Sequence, residues 1–253
     1  MAIDDTPLAP SLTVGIGASA GGLKAFRAFL EHMPADTGMT FVLVQHLDPH
    51  HTSMLVELLA PHTAMPVTQA QDGERIAANH VYVIPPDATL TLKDEVLHVE
   101  TLAPPRIHRR PIDSFFMSLA EDRGDCAVSI VLAGVGSDGT AGLRAVKERG
   151  GLTLAQAEFD KTAMTGMPTS AAATGLVDHI VAVDDMPQKL IEHQKDLTEA
   201  RSWRTEQASR DKSEEQPEAL QSTAVLAPAV DVAAPIDIMA GSVLVAASRL
   251  LRQ

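Results

Sequence analysis

Two rhythms alternate along most of this chain. Apolar runs of five or six residues give way to stretches in which apolar residues recur every third or fourth position. The first run, Leu12 to Ile16, leads into Gly15-Ile16-Gly17-Ala18-Ser19-Ala20-Gly21-Gly22, after which Leu23, Phe26, Phe29 and Leu30 follow a helical spacing. This pattern predicts a strand over 12–17, a tight glycine turn, and a helix over about 20–32 that ends before Pro34. Thr40–Gln45 is a continuous apolar run of the kind buried in a parallel sheet, and it delivers His46 to the strand's C-terminal end. A helix over about 52–60 follows, with Thr52 or Ser53 as N-cap and Pro61 beyond its end.

Between 65 and 100 the runs become short: Met65-Pro66-Val67, His80-Val81-Tyr82-Val83-Ile84, Thr89-Leu90-Thr91-Leu92 and Val96-Leu97-His98-Val99, separated by Asp72-Gly73, Pro85-Pro86-Asp87 and Asp94-Glu95. They predict small antiparallel hairpins inserted at or beside the sheet. Alternation then resumes. A helix runs from Pro111 to about 123, a strand over 127–132, a second glycine turn at Gly134-Val135-Gly136-Ser137-Asp138-Gly139, and a helix over about 140–149. A strand over 153–156, a short helix over 168–173, a strand over 179–183 and a final helix over 186–200 complete it. The fold class expected is α/β: a doubly wound, mostly parallel sheet flanked by helices, with an inserted antiparallel hairpin region.

Residues 1–11, with Pro7 and Pro10, read as a lead-in, and 12–198 as one domain. From 199 to 222 there are four Lys/Arg against six Asp/Glu, with Trp203 as the sole aromatic residue. That composition predicts a charged, mobile tail over 199–253 whose end, 236–251, has the makings of an amphipathic helix.

A net charge of −13 argues against nucleic acid or an anionic membrane as the main partner. A single cysteine, Cys126, excludes an internal disulfide framework and a multi-cysteine zinc site, and fits a reducing cytosol. The acidic start Met1-Ala2-Ile3-Asp4-Asp5 has no apolar signal region, and no run of about 18 apolar residues exists to span a membrane. A cytoplasmic protein with no membrane insertion is expected.

The first glycine turn admits three readings. Gly15-x-Gly17-x-x-Ala20 fits a dinucleotide-binding turn, in which the glycines admit a pyrophosphate. Gly17-x-Ser19-x-Gly21 fits a nucleophile elbow, in which a strand-to-helix turn lifts a serine hydroxyl into a cleft. A purely structural turn is the third. The dinucleotide reading requires an acidic residue at the end of the second strand, where Gln45-His46 stands instead. The elbow requires a base and a group to orient it, both at the same sheet edge. Of ten histidines, His46 alone directly follows a predicted core strand, and Asp138 follows the strand over 127–132. Asp138 also has a plain role open to it as a helix cap, as does Asp113 at the start of its helix. Gly15 and Gly17 read as permissions for the sharp turn.

Taken in order, Gly17-Ala18-Ser19-Ala20-Gly21-Gly22, Gln45-His46-Leu47, Asp72-Gly73, Val81-Tyr82-Val83-Ile84-Pro85-Pro86, Arg110-Pro111-Ile112-Asp113, Gly134-Val135-Gly136-Ser137-Asp138-Gly139 and Gly166-Met167-Pro168 resemble the catalytic domain of CheB-type chemotaxis methylesterases. The resemblance covers about residues 12–195. It implies Ser19 as nucleophile, His46 as general base, Asp138 as its orienting residue, and the backbone amides of Ala20 and Val135 as oxyanion donors. It further implies hydrolysis of glutamate methyl esters on chemoreceptor cytoplasmic helices, in some members glutamine deamidation, and neither metal nor cofactor. The family's regulated members carry an N-terminal receiver domain; here the catalytic domain starts within about a dozen residues of Met1, as in receiver-less forms joined to methyltransferase or sensor modules. Ala133 stands where the family often has a small hydroxyl residue. A non-catalytic signalling module of the same fold and a hydrolase of other esters are the competing functions.

Overall fold

A computed structural model describes residues 12–45, 54–101, 110–157 and 165–214. Strand β1 (Thr13–Ala18) is buried along its whole length and lies at the middle of a seven-stranded sheet. The chain passes through helix α1 (Gly22–His32) to β2 (Thr40–Gln45), then through α2 (Leu55–Leu59) and a 3-10 turn over Ala60–His62 to β3 (Val67–Gln69). Strand β5 (His80–Val83) inserts between β2 and β3, and every neighbouring pair on this side is parallel.

Three more strands, β4 (Glu74–Arg75), β6 (Ala88–Lys93) and β7 (Val96–Thr101), form a separate antiparallel sheet in the order β4-β7-β6. Part of the region over 65–100 is thus the expected hairpin insertion. β3 and β5 are not: they extend the main sheet in parallel. The reason is visible in β5, where Val81, Tyr82 and Val83 are all buried, with the two faces covered by different cores. A run buried on both sides belongs inside a parallel sheet rather than on a half-exposed hairpin.

After β7 the chain returns across the sheet. Helix α3 (Pro111–Arg123) leads to β8 (Ala127–Val131), which pairs with the other side of β1, and α4 (Thr140–Glu148) leads to β9 (Leu152–Gln156). Helix α5 (Gly166–Ala172) and β10 (His179–Val181) complete the order β10-β9-β8-β1-β2-β5-β3. The winding therefore reverses between β1 and β8. In open α/β sheets, that reversal opens a crevice outside the C-terminal strand ends.

The two faces of β1 are unlike. Val14, Ile16 and Ala18 pack with Phe26, Phe29 and Leu30 of α1 and with Met186 and Leu190 of the last helix. On the other face stand Gly15 and Gly17, and α3 lies directly on them. A β-carbon at Gly15 would come within 2.9 Å of Phe116, and one at Gly17 within 2.4 Å of Ile112. Neither glycine has a positive φ. Their place in the sequence therefore reflects close approach of a helix, not the sharp turn inferred for them.

The final helix, α6 (Met186–Glu214), runs well past 200, through residues assigned from composition to the charged tail. Arg201 explains part of this extension: its Nη2 donates to Asp125 Oδ1 at 2.7 Å and to Cys126 Sγ at 3.0 Å. By internal contacts the chain divides into units over 1–209 and 210–253. Of the second, the structure describes only 210–214, the end of α6. The lead-in over 1–11 and the expected helix over 236–251 lie outside the described residues. Among the described residues, no helix is long and apolar enough to cross a membrane.

Candidate active site

β1 and β8 run side by side, and each ends in a turn at the crevice. Ser19 follows β1 directly and is half-buried. Its amide donates to Ala133 O at 2.9 Å, and its carbonyl accepts from the Gly22 amide at 2.9 Å. The chain thus reverses at once into α1 through Gly21, whose φ of +85° is open to glycine without steric penalty. The strand-turn-helix elbow expected from Gly17-x-Ser19-x-Gly21 is present.

Two glutamines brace these turns. Gln45, at the end of β2, donates through Nε2 to Ser19 O at 3.4 Å, and Gln156, at the end of β9, accepts the Ala133 amide at 2.9 Å. Sequence reasoning gave neither a bracing role. Their shared signal is a polar residue closing an otherwise apolar strand run, delivered to the same edge as the serine.

The turn between β8 and α4 lies against Ser19. A β-carbon at Gly134 would stand 3.0 Å from Ser19 Cβ and 2.2 Å from Met167 Sδ, so only glycine lets the two turns and α5 meet. Met167 donates its amide to Gly134 O at 3.0 Å, and Ser170 Oγ donates to Gly136 O at 3.2 Å. Val135 is 58% exposed and Ala20 is exposed. Among the described residues, neither of their amides donates to a backbone acceptor.

Asp138 is buried in the same turn, 5% exposed. Its Oδ2 accepts the Ile112 amide at 3.1 Å, and its Oδ1 accepts the Asp113 amide at 3.0 Å and the Gly139 amide at 2.9 Å. Ile112 and Asp113 belong to the first turn of α3, whose amides have no partner within the helix. Asp138 therefore caps α3, an earlier element, and not the α4 that follows it in the chain. Close packing of α3 on Gly15 and Gly17 brings those amides within reach.

Asp113 is a second buried carboxylate beside the first. Its Oδ1 accepts the Gly142 amide of α4 at 2.8 Å, and its Oδ2 accepts Arg110 Nη1 at 3.0 Å. Burial pushes its carboxyl above the usual range; the Gly142 amide and Arg110 oppose this, and the Asp138 charge adds to it. Arg110 also donates through Nη2 to Ser137 Oγ at 3.2 Å.

Ser19 and Ala20 thus lie in the turn after β1, and Val135 and Asp138 in the turn after the neighbouring β8. His46 lies outside the described residues, as do Asp48, His50, His51 and the basic stretch with Arg106, His108 and Arg109. Three other histidines serve local contacts: His32 with Ala28 O, His62 with Glu31 and His80 with Thr68. Among the described residues, no three His, Cys, Asp or Glu side chains cluster as metal ligands would.

Residues 14–190 match the family model described as CheB methylesterase. A protein-glutamate methylesterase/protein-glutamine glutaminase of Bordetella bronchiseptica is 34% identical over 181 residues, covering 70% of this chain and 51% of that protein. A relative of the same description in Xanthomonas oryzae is 36% identical over 182 residues, covering 70% and 50%. The chain spans about half the length of the curated relatives it matches. The crystal structure of the Thermotoga maritima CheB methylesterase catalytic domain superposes with a TM-score of 0.66 at 29% identity, covering 72% of this chain and 98% of that one.

Proposed function

The chain belongs to the CheB methylesterase family, and from that premise we propose that it hydrolyses glutamate methyl esters on the cytoplasmic helices of chemoreceptors. Ser19 is the nucleophile, His46 the general base and Asp138 the carboxylate that orients it. The observation that supports this reading is that Ser19 follows β1 and Asp138 lies in the turn after β8, the strand paired with β1.

The reaction is a two-step acyl transfer. His46 takes the Ser19 hydroxyl proton as Oγ bonds to the ester carbonyl, and the carbonyl oxygen becomes an oxyanion. The amides of Ala20 and Val135 are the proposed donors to that charge; Ala20 also precedes the N-terminus of α1, whose dipole favours an anion. Methanol leaves with the proton from His46. Water then attacks the acyl-serine, and glutamate and Ser19 are regenerated. On a glutamine side chain the same steps release ammonia, the second activity in the relatives' names. The steps balance with water as the one co-reactant, and the substrate places the reaction in the cytoplasm.

Methanol release from methylated receptor membranes tests the proposal, with the chain compared against Ser19→Ala. Turnover lost in the variant is the expected result. Equal release by both proteins overturns the assignment, and turnover of small acyl esters with none from receptor moves the substrate elsewhere.

A further inference from the structure

Asp138 has a neighbour that the acyl-transfer scheme does not use. Two buried carboxylates, Asp113 and Asp138, stand next to one another where α3, α4 and the β8–α4 turn meet, 4% and 5% exposed. Burying two like charges together is costly unless each is paired. Among the described residues, three backbone amides donate to Asp138, and one amide and one guanidinium donate to Asp113.

The guanidinium is Arg110, the residue before α3, 54% exposed at its side chain. It spans from Asp113 Oδ2 to Ser137 Oγ, and Ser137 immediately precedes Asp138. One arginine thus ties the start of α3 to the turn that carries Asp138. Asp113 in turn ties both to α4 through Gly142, while the Asp113 amide itself ends on Asp138. The result is a closed circuit of hydrogen bonds beside the Asp138 carboxylate, with Arg110 its most exposed member.

We propose that Arg110 and Asp113 are positioning residues that fix the place and the charge of Asp138, and through it the base of the reaction. This rests on the triad reading above. Charge is part of it as well as geometry. The Asp113 anion and the Arg110 cation both act through space on the base that Asp138 orients, with opposite sign. The charged groups acting on Asp113 are Asp138, from the facing turn, and Arg110, from its own element; α4 contributes the Gly142 amide.

The test is the pH dependence of kcat and kcat/KM for Asp113→Asn, Arg110→Gln and Arg110→Lys in the full chain, beside wild type and Ser19→Ala. A misplaced catalytic group costs up to ~10²-fold, so kcat is expected to fall about tenfold or more in Asp113→Asn and Arg110→Gln, with KM little changed. The two charge changes have opposite signs. Removing the Asp113 anion destabilises the protonated base and moves the acidic limb to lower pH. Removing the Arg110 cation moves it to higher pH. Arg110→Lys keeps the charge but not the fork, so it restores the limb while leaving kcat low.

Arg110 is at the surface, so its variants report even where Asp113→Asn fails to fold. Limbs that coincide with wild type, or move in the same direction, overturn the positioning role while Ser19-dependent turnover stands. Wild-type turnover in Ser19→Ala overturns the triad reading itself.

Discussion

Gly134 is the point where the Ser19 turn, the Asp138 turn and α5 converge, and replacing it with alanine separates packing from chemistry. The added methyl would stand 2.2 Å from Met167 Sδ, 3.1 Å from Met167 Cγ and 3.0 Å from Ser19 Cβ. Met167 is fully buried, so it cannot swing into solvent. Overpacking of this kind costs about 1–3 kcal/mol, and a domain of this size loses roughly 2–4 °C of Tm per kcal/mol. Met167→Ala alone opens a cavity and costs about 2–5 kcal/mol. In the double variant, the Gly134→Ala methyl occupies space the thioether has left. Its cost is therefore expected to fall below the sum of the singles by at least ~1 kcal/mol. Activity behaves differently, because the contact with Ser19 Cβ persists after Met167 is cut back. Urea denaturation of the four proteins and ester turnover of each check this. Stability is regained in the double variant, and turnover is not. Costs additive to within ~0.5 kcal/mol, or full turnover in Gly134→Ala, refute the reasoning.

Three further outcomes are expected. Gly142→Ala gains up to ~1 kcal/mol of helix propensity, but its β-carbon would lie 2.4 Å from Phe116 Cβ and 2.9 Å from Asp113 O, main chain that cannot yield, so thermal melting should show a lower Tm. Asp138→Ala strips two α3 amides of their acceptor at about 1–3 kcal/mol for each buried donor left unpaired and lowers turnover by roughly 10³-fold or more; a stable variant with wild-type rate contradicts both parts. Asp178 offers a pH test: burial disfavours its charge, but hydrogen bonds from Lys147 and from Thr153 outweigh this and hold its carboxyl below the ordinary value of 3.8. A depressed carboxyl contributes stability that is present above the unfolded value and lost as pH falls through the folded one. The Tm gap between wild type and Asp178→Asn should therefore be widest near neutrality and close as pH drops below about 3.8; a gap constant over that range counts against it.

Much of the fold could be read from residue order because its signals are local. β2 is a strand buried along nearly all its length, α3 is opened by Pro111 and stopped by Gly124 with a φ of +55°, and both occupy the positions their patterns predict. What escaped is what depends on partners far along the chain. That β3 and β5 join the main sheet is decided by the cores on either side of Tyr82, not by the length of the run. Gly15 and Gly17 looked like turn glycines until α3, a hundred residues later, was seen to lie on them. At the site, the Ser19 and Asp138 turns were legible as strand ends carrying glycine. The Arg110–Asp113 bracket was not, because a carboxylate at a helix start has an ordinary reading as a cap. Its burial beside a second carboxylate is a tertiary fact.

The central position of β1 also has a consequence in time. Its partners are β2, at residue 40, and β8, at residue 127, so the serine's turn cannot close on Ala133 until more than a hundred further residues exist. Ribosomes add roughly 5–20 residues per second. A nascent chain therefore carries Ser19 for about 6–25 s before the Val135 amide and Asp138 have been made. Ser19 is the first residue of the proposed site to be synthesised, and its turn is among the last to close.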